Sequence, residues 1–392
     1  MIQERYIQRI IGENLKEKMV FLGGPRQVGK TTLAKQIAKQ EYPRSLYLNW
    51  DYREDRAQML SGKIPGDTPL VIFDEFHKYR LWKTRVKGLF DKYHDRLHIL
   101  VTGSARLDVY RRGGDSLMGR YYYYRLHPFS LAEMLEFNAM PQILGELIFP
   151  EFLPKARAAL DDLFVFGGFP EPLLKKDQKV LRQFHNQYVD RLVREDIRDI
   201  ESIRDLSSLQ VLVDLLPHKV GALLSLNALR EDLEVAHKTV ALWMDILERF
   251  YYHFRIYPFA FATIKSLRKE PKMYLWDWSQ VEDEAQRFEN MVASHLLKFV
   301  HFLYDAEGYR VALHFLRDRA GHETDFLVTV DKKPWFAVEV KWADTQVSKS
   351  LRYFTEKLRI PFAYQVAHEP KVDFLQNGVR VMSADKFLSA LV

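Results

Sequence analysis

The stretch Gly24-Pro25-Arg26-Gln27-Val28-Gly29-Lys30-Thr31 decides how this chain is interpreted. Apolar residues 19–22 precede it, and a helical pattern opens at Thr32. In this strand–loop–helix context, glycines let backbone N–H groups face phosphate oxygens, and the helix N-terminus adds partial positive charge. Lys30 is expected to reach the β- and γ-phosphates, and the Thr31 hydroxyl to ligate Mg²⁺. The pattern predicts a nucleoside triphosphate site formed by residues 24–32.

A second motif, Leu70-Val71-Ile72-Phe73-Asp74-Glu75, is an apolar run that ends in two acids. A buried parallel strand would carry these acids to the carboxyl edge of a sheet, where ligands of open α/β sheets bind. We expect Asp74 to take part in the Mg²⁺ shell. Glu75 would orient and deprotonate the attacking water.

A third apolar run, residues 98–102, is followed by Gly103 and Ser104. A polar side chain at this strand end would lie beside the γ-phosphate, with Ser104 as the first choice and Thr102 as the second. The sequence contains no Asn-Lys-x-Asp segment of the kind that reads guanine. We therefore expect ATP, with Mg²⁺, as the cofactor pair.

Composition and charge limit the class of protein. The chain has 392 residues, 47% of them hydrophobic and 28% charged, which is typical of a globular protein of several domains. Residues 1–127 carry 24 Lys and Arg against 14 Asp and Glu, so the excess of positive charge lies in the nucleotide-binding part. This surface would attract a triphosphate and a polyanion, although a solvated basic surface explains it equally well.

The absence of certain features narrows the class further. The sequence contains no cysteine, which excludes disulfides, thiolate zinc sites and a cysteine nucleophile. The N-terminus shows no apolar signal region, and the most apolar stretch is broken by charged residues and proline. We expect a cytoplasmic protein with no membrane partner.

The three motifs resemble the AAA+ branch of P-loop ATPases. Residues 24–31 correspond to its Walker A motif, 70–75 to Walker B and 102–104 to its sensor-1 strand. The resemblance implies a five-stranded parallel sheet of order 5-1-4-3-2, with residues 121–126 as the last strand. Residues 117–120, 126–130 and 166–171 are further similar to an uncharacterised prokaryotic AAA family. Its members carry a C-terminal domain of unknown function with a nuclease-like fold.

A γ-phosphate-neutralising arginine is a further expectation. Arg120 is the candidate, acting in its own subunit or toward a neighbouring one, which leaves an oligomer open. Arg106, Arg111 and Arg112 compete for the same role, and a surface role is the alternative for each.

The middle of the chain is predicted to be helical, with one long helical run over residues 178–204. We expect an ATPase core over residues 1–130, a helical region over 131–215 and a winged-helix-like region over 216–265. The helix predicted near residues 238–250 would enter the major groove if this region bound DNA. It is poor in Lys and Arg, however, so packing or contact with a protein partner is the alternative.

A charged linker, residues 265–272, is expected to lead into a C-terminal α/β domain over 275–392. Strand residues two apart share a face, so Glu339 and Lys341 should point the same way. Residues 323–330 and 335–341 are expected to form a hairpin, so Asp325 on the adjacent strand could join them. The set resembles the PD-(D/E)xK phosphodiesterase signature, with Glu289 as the helical acid, although Thr324 stands where that signature has proline. The alternative is an inherited fold that no longer cleaves.

These observations give one main hypothesis and two alternatives. The main hypothesis is Mg²⁺-dependent ATP binding and hydrolysis, coupled to rearrangement of the C-terminal domains. The alternatives are an ATP-switched module that binds protein or DNA, and an ATP-coupled, metal-dependent nuclease.

Overall fold

The computed structural model describes residues 4–103, 117, 119–137, 140–151, 154–197, 203, 205–260 and 270–392. The chain divides into two compact units. The first comprises residues 1–127 with 249–251, and the second comprises residues 128–248 and 252–392. Among the described residues, no helix combines the length and apolar composition needed to cross a bilayer.

The first unit is built on a five-stranded parallel sheet of order β2-β3-β4-β1-β5. The predicted order 5-1-4-3-2 is therefore confirmed. Its strands are β1 Met19–Gly23, β2 Leu46–Asn49, β3 Leu70–Asp74, β4 His98–Thr102 and β5 Tyr121–Arg125. The helices of this unit are Gln8–Leu15, Lys30–Glu41, Arg53–Ser61 and Trp82–Tyr93, with a 3₁₀ turn at Phe76–Lys78.

Continuous apolar sequence explains the central strands of this sheet. Every residue of β1 and β3 is buried, as expected for parallel strands that are covered on both faces. Phe21 of β1 and Phe73 of β3 belong to one core cluster, which also takes in Trp82 of the helix Trp82–Tyr93. Because all five strands run the same way, the segments that follow β1, β3 and β4 leave the sheet at one edge.

The second unit begins with a helical part. The described helices are Leu131–Met134, Ala156–Phe166, Pro170–Lys175, Gln178–Arg191, Leu206–Leu215, Leu226–Leu233 and His237–Arg249, the last of which ends at the boundary of the unit. The predicted continuous helix over 178–204 differs from the structure, where the α-helix ends at Arg191 and a π-helical segment, Leu192–Ile197, follows.

An eight-stranded mixed sheet forms the rest of the second unit, in the order β12-β13-β11-β10-β9-β8-β6-β7. Its strands are β6 His253–Pro258, β7 Lys272–Leu275, β8 Val311–Arg317, β9 Glu323–Val330, β10 Lys333–Lys341, β11 Phe362–Ala367, β12 Asp373–Gln376 and β13 Val379–Ser383. Three helices accompany it: Glu284–Asp305, Lys349–Leu358 and Ala384–Ser389. β9 and β10 form the predicted antiparallel hairpin, and β10 is parallel to β11.

Lys272 corrects the expected linker. The sequence places it at the end of a charged connection, but the structure places it at the start of β7, where only 3% of the residue is exposed. Charge alone suggested solvent exposure, whereas β7 pairs with β6 and carries Lys272 into the protein. Residues 261–269 lie outside the described part of the chain.

The predicted winged-helix-like region contains two short helices followed by the antiparallel pair β6 and β7. The acids of its second helix are paired: Arg255 of β6 donates to Asp245 at 2.7 Å and also to Glu248. β6 also pairs in parallel with β8, so these strands continue into the C-terminal sheet. DNA binding by this region stays a prediction.

Two glycines of the segment 166–171 have a packing role. Gly167 has a φ of +73°, which favours glycine. A Cβ on Gly168 would lie 2.6 Å from the Phe129 carbonyl oxygen and 2.7 Å from the Trp278 ring. These contacts lie within the second unit and explain the residue type without a ligand.

Candidate functional site

The phosphate-binding loop predicted at residues 24–31 connects β1 to the helix Lys30–Glu41. Gly24 has a φ of +144°, and a Cβ there would lie 2.4 Å from the Leu126 carbonyl oxygen, so only glycine fits. Gly29, with a φ of +103°, is the N-cap of the helix and offers no side-chain acceptor to its first turn. That turn contains no acidic residue. Its N–H groups therefore suit an anionic ligand.

Lys30 lies within this loop. Only 7% of the residue is exposed, and its ammonium group donates to the carbonyl oxygens of Gly24 and Pro25 at 2.8 and 2.7 Å. Both acceptors belong to the loop itself. The lysine charge is thus held where a triphosphate on this loop would need it.

Arg5 fixes the loop from the other side. Its guanidinium donates to the carbonyl oxygen of Val28 at 3.0 Å and to that of His127 at 2.5 Å. The arginine is only 6% exposed. It therefore joins the loop to the segment that follows β5, a positioning role that the sequence analysis did not find.

Asp74 is the acid that meets the loop. The Thr31 hydroxyl donates to Asp74 Oδ2 at 2.8 Å, across 43 positions of sequence. The Tyr47 hydroxyl donates to the same oxygen at 2.6 Å, and the Thr102 hydroxyl donates to Oδ1. Asp74 is only 3% exposed, and its carboxylate is held by donors from the helix Lys30–Glu41 and from the strands β2 and β4.

Glu75 follows directly, in an unusual backbone conformation. Its φ is +56°, a left-handed value that costs a residue with a side chain about 1–3 kcal/mol. Its carboxylate lies 3.7 Å from Lys78 Nζ and 3.7 Å from His77 Nε2. Burial raises the pKa of Glu75, against the opposing charges of Lys30 and Lys78. A strained turn and a raised pKa are both properties of a general base.

The structure thus brings together Lys30, Thr31, Asp74 and Thr102 at the carboxyl edge of the sheet, with Glu75 next in sequence. Gly24, Pro25, Arg26, Gln27, Val28, Gly29 and Thr32 complete the loop and the start of its helix. Ser104, Arg106, Arg111 and Arg112 lie outside the described residues.

Arg120 is not part of this site. It directly precedes β5, and its carbonyl oxygen accepts a hydrogen bond from Met19 N at the start of β1. Since the loop follows the opposite end of β1, Arg120 lies at the other edge of the sheet. Its side chain pairs with Asp91 at 2.8 Å. This arrangement does not bring Arg120 to a γ-phosphate on its own subunit's loop; a role toward a neighbouring subunit stays a prediction, with a surface role as the alternative.

The residues present fit MgATP. Thr31 and Asp74 supply the hydroxyl and carboxylate oxygens that Mg²⁺ prefers, and they already lie within hydrogen-bond distance of each other. Lys30 and the uncapped helix turn supply positive charge and donors for phosphate oxygens.

A second cluster of charged side chains lies in the C-terminal sheet. Lys341 Nζ pairs with Glu339 Oε1 at 2.8 Å, and Asp325 Oδ2 accepts the backbone N–H of Val340 at 2.9 Å. Glu289, from the helix Glu284–Asp305, accepts a hydrogen bond from the Tyr274 hydroxyl at 2.7 Å. The structure therefore brings together the four residues of the predicted nuclease-like set.

Burial and mutual repulsion raise the pKa of two acids in this C-terminal cluster. Burial raises the pKa of Glu289 and of Glu339, and the neighbouring charge of Asp325 raises both further. Within the described residues, Glu339 Oε2 is buried and has no hydrogen-bond partner. No group of three or more His, Cys, Asp or Glu among them is arranged to hold a metal ion. The cluster as it stands does not fit a divalent cation.

Besides Arg5, two further residues of these sites were missed by sequence reasoning. Tyr47 could have been found from strand order, because β2 lies beside β3 and Asn49 pairs with Asp74 at the same edge. Lys272, which contacts three acids of the C-terminal cluster, gave no signal, because its charged neighbours suggested a linker.

Comparison with protein families divides the chain into three matched segments. Residues 16–135 match the model described as an AAA domain. Residues 157–281 match the domain of unknown function DUF8612, and residues 285–387 match the domain of unknown function DUF4143. Neither description mentions a nuclease, so the nuclease-like identity of the C-terminal domain stays a prediction.

Two proteins that are similar over most of this chain are described as uncharacterized. One uncharacterized protein of Methanocaldococcus jannaschii is 21% identical over 367 residues, covering 88% of this chain and 80% of that protein. Another from the same organism is 24% identical over 407 residues, covering 92% and 83%. Among solved structures, the Aeropyrum pernix ORC1 protein in complex with DNA is similar at 12% identity and a TM-score of 0.33, covering 75% of this chain and 93% of that one. Residues 16–135 are thus similar to an AAA domain, and the strand order of the first unit is the order that this resemblance implies.

Proposed function

We propose that this chain binds MgATP at residues 24–32 and hydrolyses it, and that hydrolysis drives rearrangement of the C-terminal domains. The observation that carries the proposal is the 2.8 Å hydrogen bond from Thr31 to Asp74. It joins the loop that would hold the triphosphate to the acid that would hold its metal.

Each residue has a distinct role in this proposal. The loop N–H groups and Lys30 bind the β- and γ-phosphates, and Lys30 exchanges its loop carbonyl partners for phosphate oxygens. Thr31 and Asp74 hold Mg²⁺, which neutralises phosphate charge when bound. Thr102 keeps the Asp74 carboxylate oriented. Glu75 accepts a proton from the attacking water, and its burial makes it a stronger base.

Replacement of Glu75 tests the catalytic part of this proposal. Glu75→Gln keeps the size of the side chain but cannot accept the proton at neutral pH. We expect ATP affinity to be retained and turnover to fall by about 10²–10⁴-fold, measured as phosphate release. The exposed Glu54→Gln serves as the matched control. Equal turnover in wild type and Glu75→Gln would remove Glu75 from the mechanism.

The alternative from a different functional class is a binding module whose affinity for its partner changes when nucleotide binds. The excess of Lys and Arg in residues 1–127 is the observation that favours a polyanionic partner. This alternative predicts that a non-hydrolysable ATP analogue alone changes the affinity for labelled DNA in an anisotropy titration. Equal affinity with and without the analogue would argue against DNA as the switched partner.

Cleavage of nucleic acid by the C-terminal domain is the remaining alternative. The convergence of Asp325, Glu339 and Lys341 favours it, whereas the lack of a metal-binding group among the described residues opposes it. We derive no cleavage step for this cluster. The test is Mn²⁺-dependent cutting of DNA or RNA. Cutting by the wild type that is lost in Asp325→Ala and Lys341→Ala would support this alternative.

A further inference from the structure

Lys272 lies at the centre of the C-terminal acid cluster. Its ammonium nitrogen is 2.8 Å from Glu323 Oε1, 3.5 Å from Asp325 Oδ1 and 3.6 Å from Glu289 Oε1. Only 4% of its side chain is exposed. One lysine, carried by the edge strand β7, thus contacts acids from a helix and from β9.

With this lysine in place, three cations face the four acids of the cluster, which leaves one negative charge in excess. Lys341 pairs with Glu339, and Arg317 pairs with Glu323 at 2.7 Å. Among the described residues, Lys272 is the cation that contacts both Asp325 and Glu289. Burial alone would lower the pKa of Lys272, but Glu289, Asp325 and Glu323 together outweigh burial and raise it, so the lysine is charged at neutral pH.

A divalent cation bound to Glu289 and Asp325 would need the oxygens that Lys272 contacts. Mg²⁺ binds oxygen ligands at about 2.0–2.1 Å in near-octahedral geometry, closer than any ammonium contact. It would also add two positive charges beside a buried ammonium, which low dielectric makes costly. Glu339 Oε2 is buried and has no hydrogen-bond partner among the described residues. Such an ion would bind this oxygen.

We propose that Lys272 is a resident cation that takes the place of a divalent metal ion in the acid cluster of Glu289, Asp325 and Glu339. With Lys272 in position, the cluster is stable without metal and excludes it. Without the lysine charge, the same carboxylates, which are not arranged for a metal ion in this structure, move together around a hard divalent cation. This inference does not depend on ATP hydrolysis by the first unit.

Removal of the lysine charge tests the proposal on the full-length, nucleotide-free protein. Lys272→Met keeps a long, buried side chain without the ammonium group. Bound Mn²⁺ is counted from the loss of the free Mn²⁺ electron paramagnetic resonance signal. We expect Lys272→Met to bind one more Mn²⁺ per chain than wild type, and Lys272→Met/Glu339→Gln to lose that additional ion.

A second comparison keeps the test decisive if Lys272→Met does not fold, since removing one partner of a buried ion cluster costs about 3–5 kcal/mol. Wild type and Glu339→Gln are titrated with Mn²⁺ in the same way. The proposal predicts the same number of bound ions in both. Fewer ions bound by Glu339→Gln than by wild type would overturn the proposal, as would a folded Lys272→Met that gains none.

Discussion

At the scale of single residues, Asp74 is held by three hydroxyl groups before any ligand arrives. Thr31 and Tyr47 donate to one carboxylate oxygen, and Thr102 donates to the other. Partners of this kind fix the rotamer of a metal ligand and are costly to remove. Tyr47 is thus a positioning residue for the proposed Mg²⁺ site.

Tyr47→Phe removes one of these hydroxyl groups and keeps the ring. We expect the Mg²⁺ concentration needed for half-maximal ATP hydrolysis to rise about tenfold, because Asp74 Oδ2 then keeps only the Thr31 donor. The measurement is hydrolysis rate against Mg²⁺ at saturating ATP. Tyr52→Phe, which changes an exposed tyrosine in the same way, is the control. An unchanged Mg²⁺ dependence would show that Tyr47 does not position the metal ligand.

The sequence predicted functional residues well where a motif determines both the residue type and its structural surroundings. The loop glycines and Lys30 follow from the spacing alone, because few backbone conformations present N–H groups inward. Arg5 and Lys272 could not be found this way. Each acts through a contact with residues far away in sequence, and nothing in its local pattern distinguishes it from a surface cation.

At the scale of single elements, the helix Glu284–Asp305 holds a histidine that must be neutral. His295 Nδ1 donates to the Met291 carbonyl oxygen at 2.7 Å, and Nε2 accepts the N–H of Leu131 at 3.1 Å. A proton on Nε2 would break the second bond. Burial lowers the pKa of His295 to about 4.

This histidine predicts a loss of stability in acid. Its pKa is lower in the folded than in the unfolded state, so its stabilising contribution is present above pH 6.5 and is lost as the pH falls toward 4. Between pH 7 and pH 5 the loss is about 2 kcal/mol. Glu289 and Glu339 act in the opposite sense, because their raised pKa favours the folded state as the pH falls.

Urea unfolding of matched variants isolates the histidine from those acids. Between pH 7 and pH 5, His295→Gln should lose less unfolding free energy than wild type, by about 2 kcal/mol. His94→Gln, at an exposed histidine of the first unit, should behave as wild type. Identical pH dependence in wild type and His295→Gln would contradict the assigned neutral state.

Helices and strands were predicted well from the sequence where the spacing of apolar residues was regular. The alternation in β9 and β10, with a polar turn between them, predicted the hairpin and its facing residues. The long run from residue 178 was less well predicted, because apolar spacing does not distinguish an α-helical from a π-helical turn at Leu192–Ile197.

At the scale of the whole molecule, the parallel sheet was predictable and the mixed sheet was not. The order of the five parallel strands was implied by the resemblance of three motifs to AAA+ ATPases, and the structure has that order. In the second unit, β6 pairs with β8 across more than fifty positions of sequence, which no local pattern signals. Sequence reasoning therefore separated β6 and β7 from a sheet to which they belong.

The central claim is that residues 24–32 bind a triphosphate through Lys30 and the loop N–H groups. An equilibrium titration of the full chain with a fluorescent ATP analogue and Mg²⁺ tests it most directly, with Lys30→Ala beside wild type and the exposed Lys39→Ala as control. We expect saturable binding by wild type and Lys39→Ala, and at least a hundredfold weaker binding by Lys30→Ala. Equal affinity in all three proteins would contradict the account.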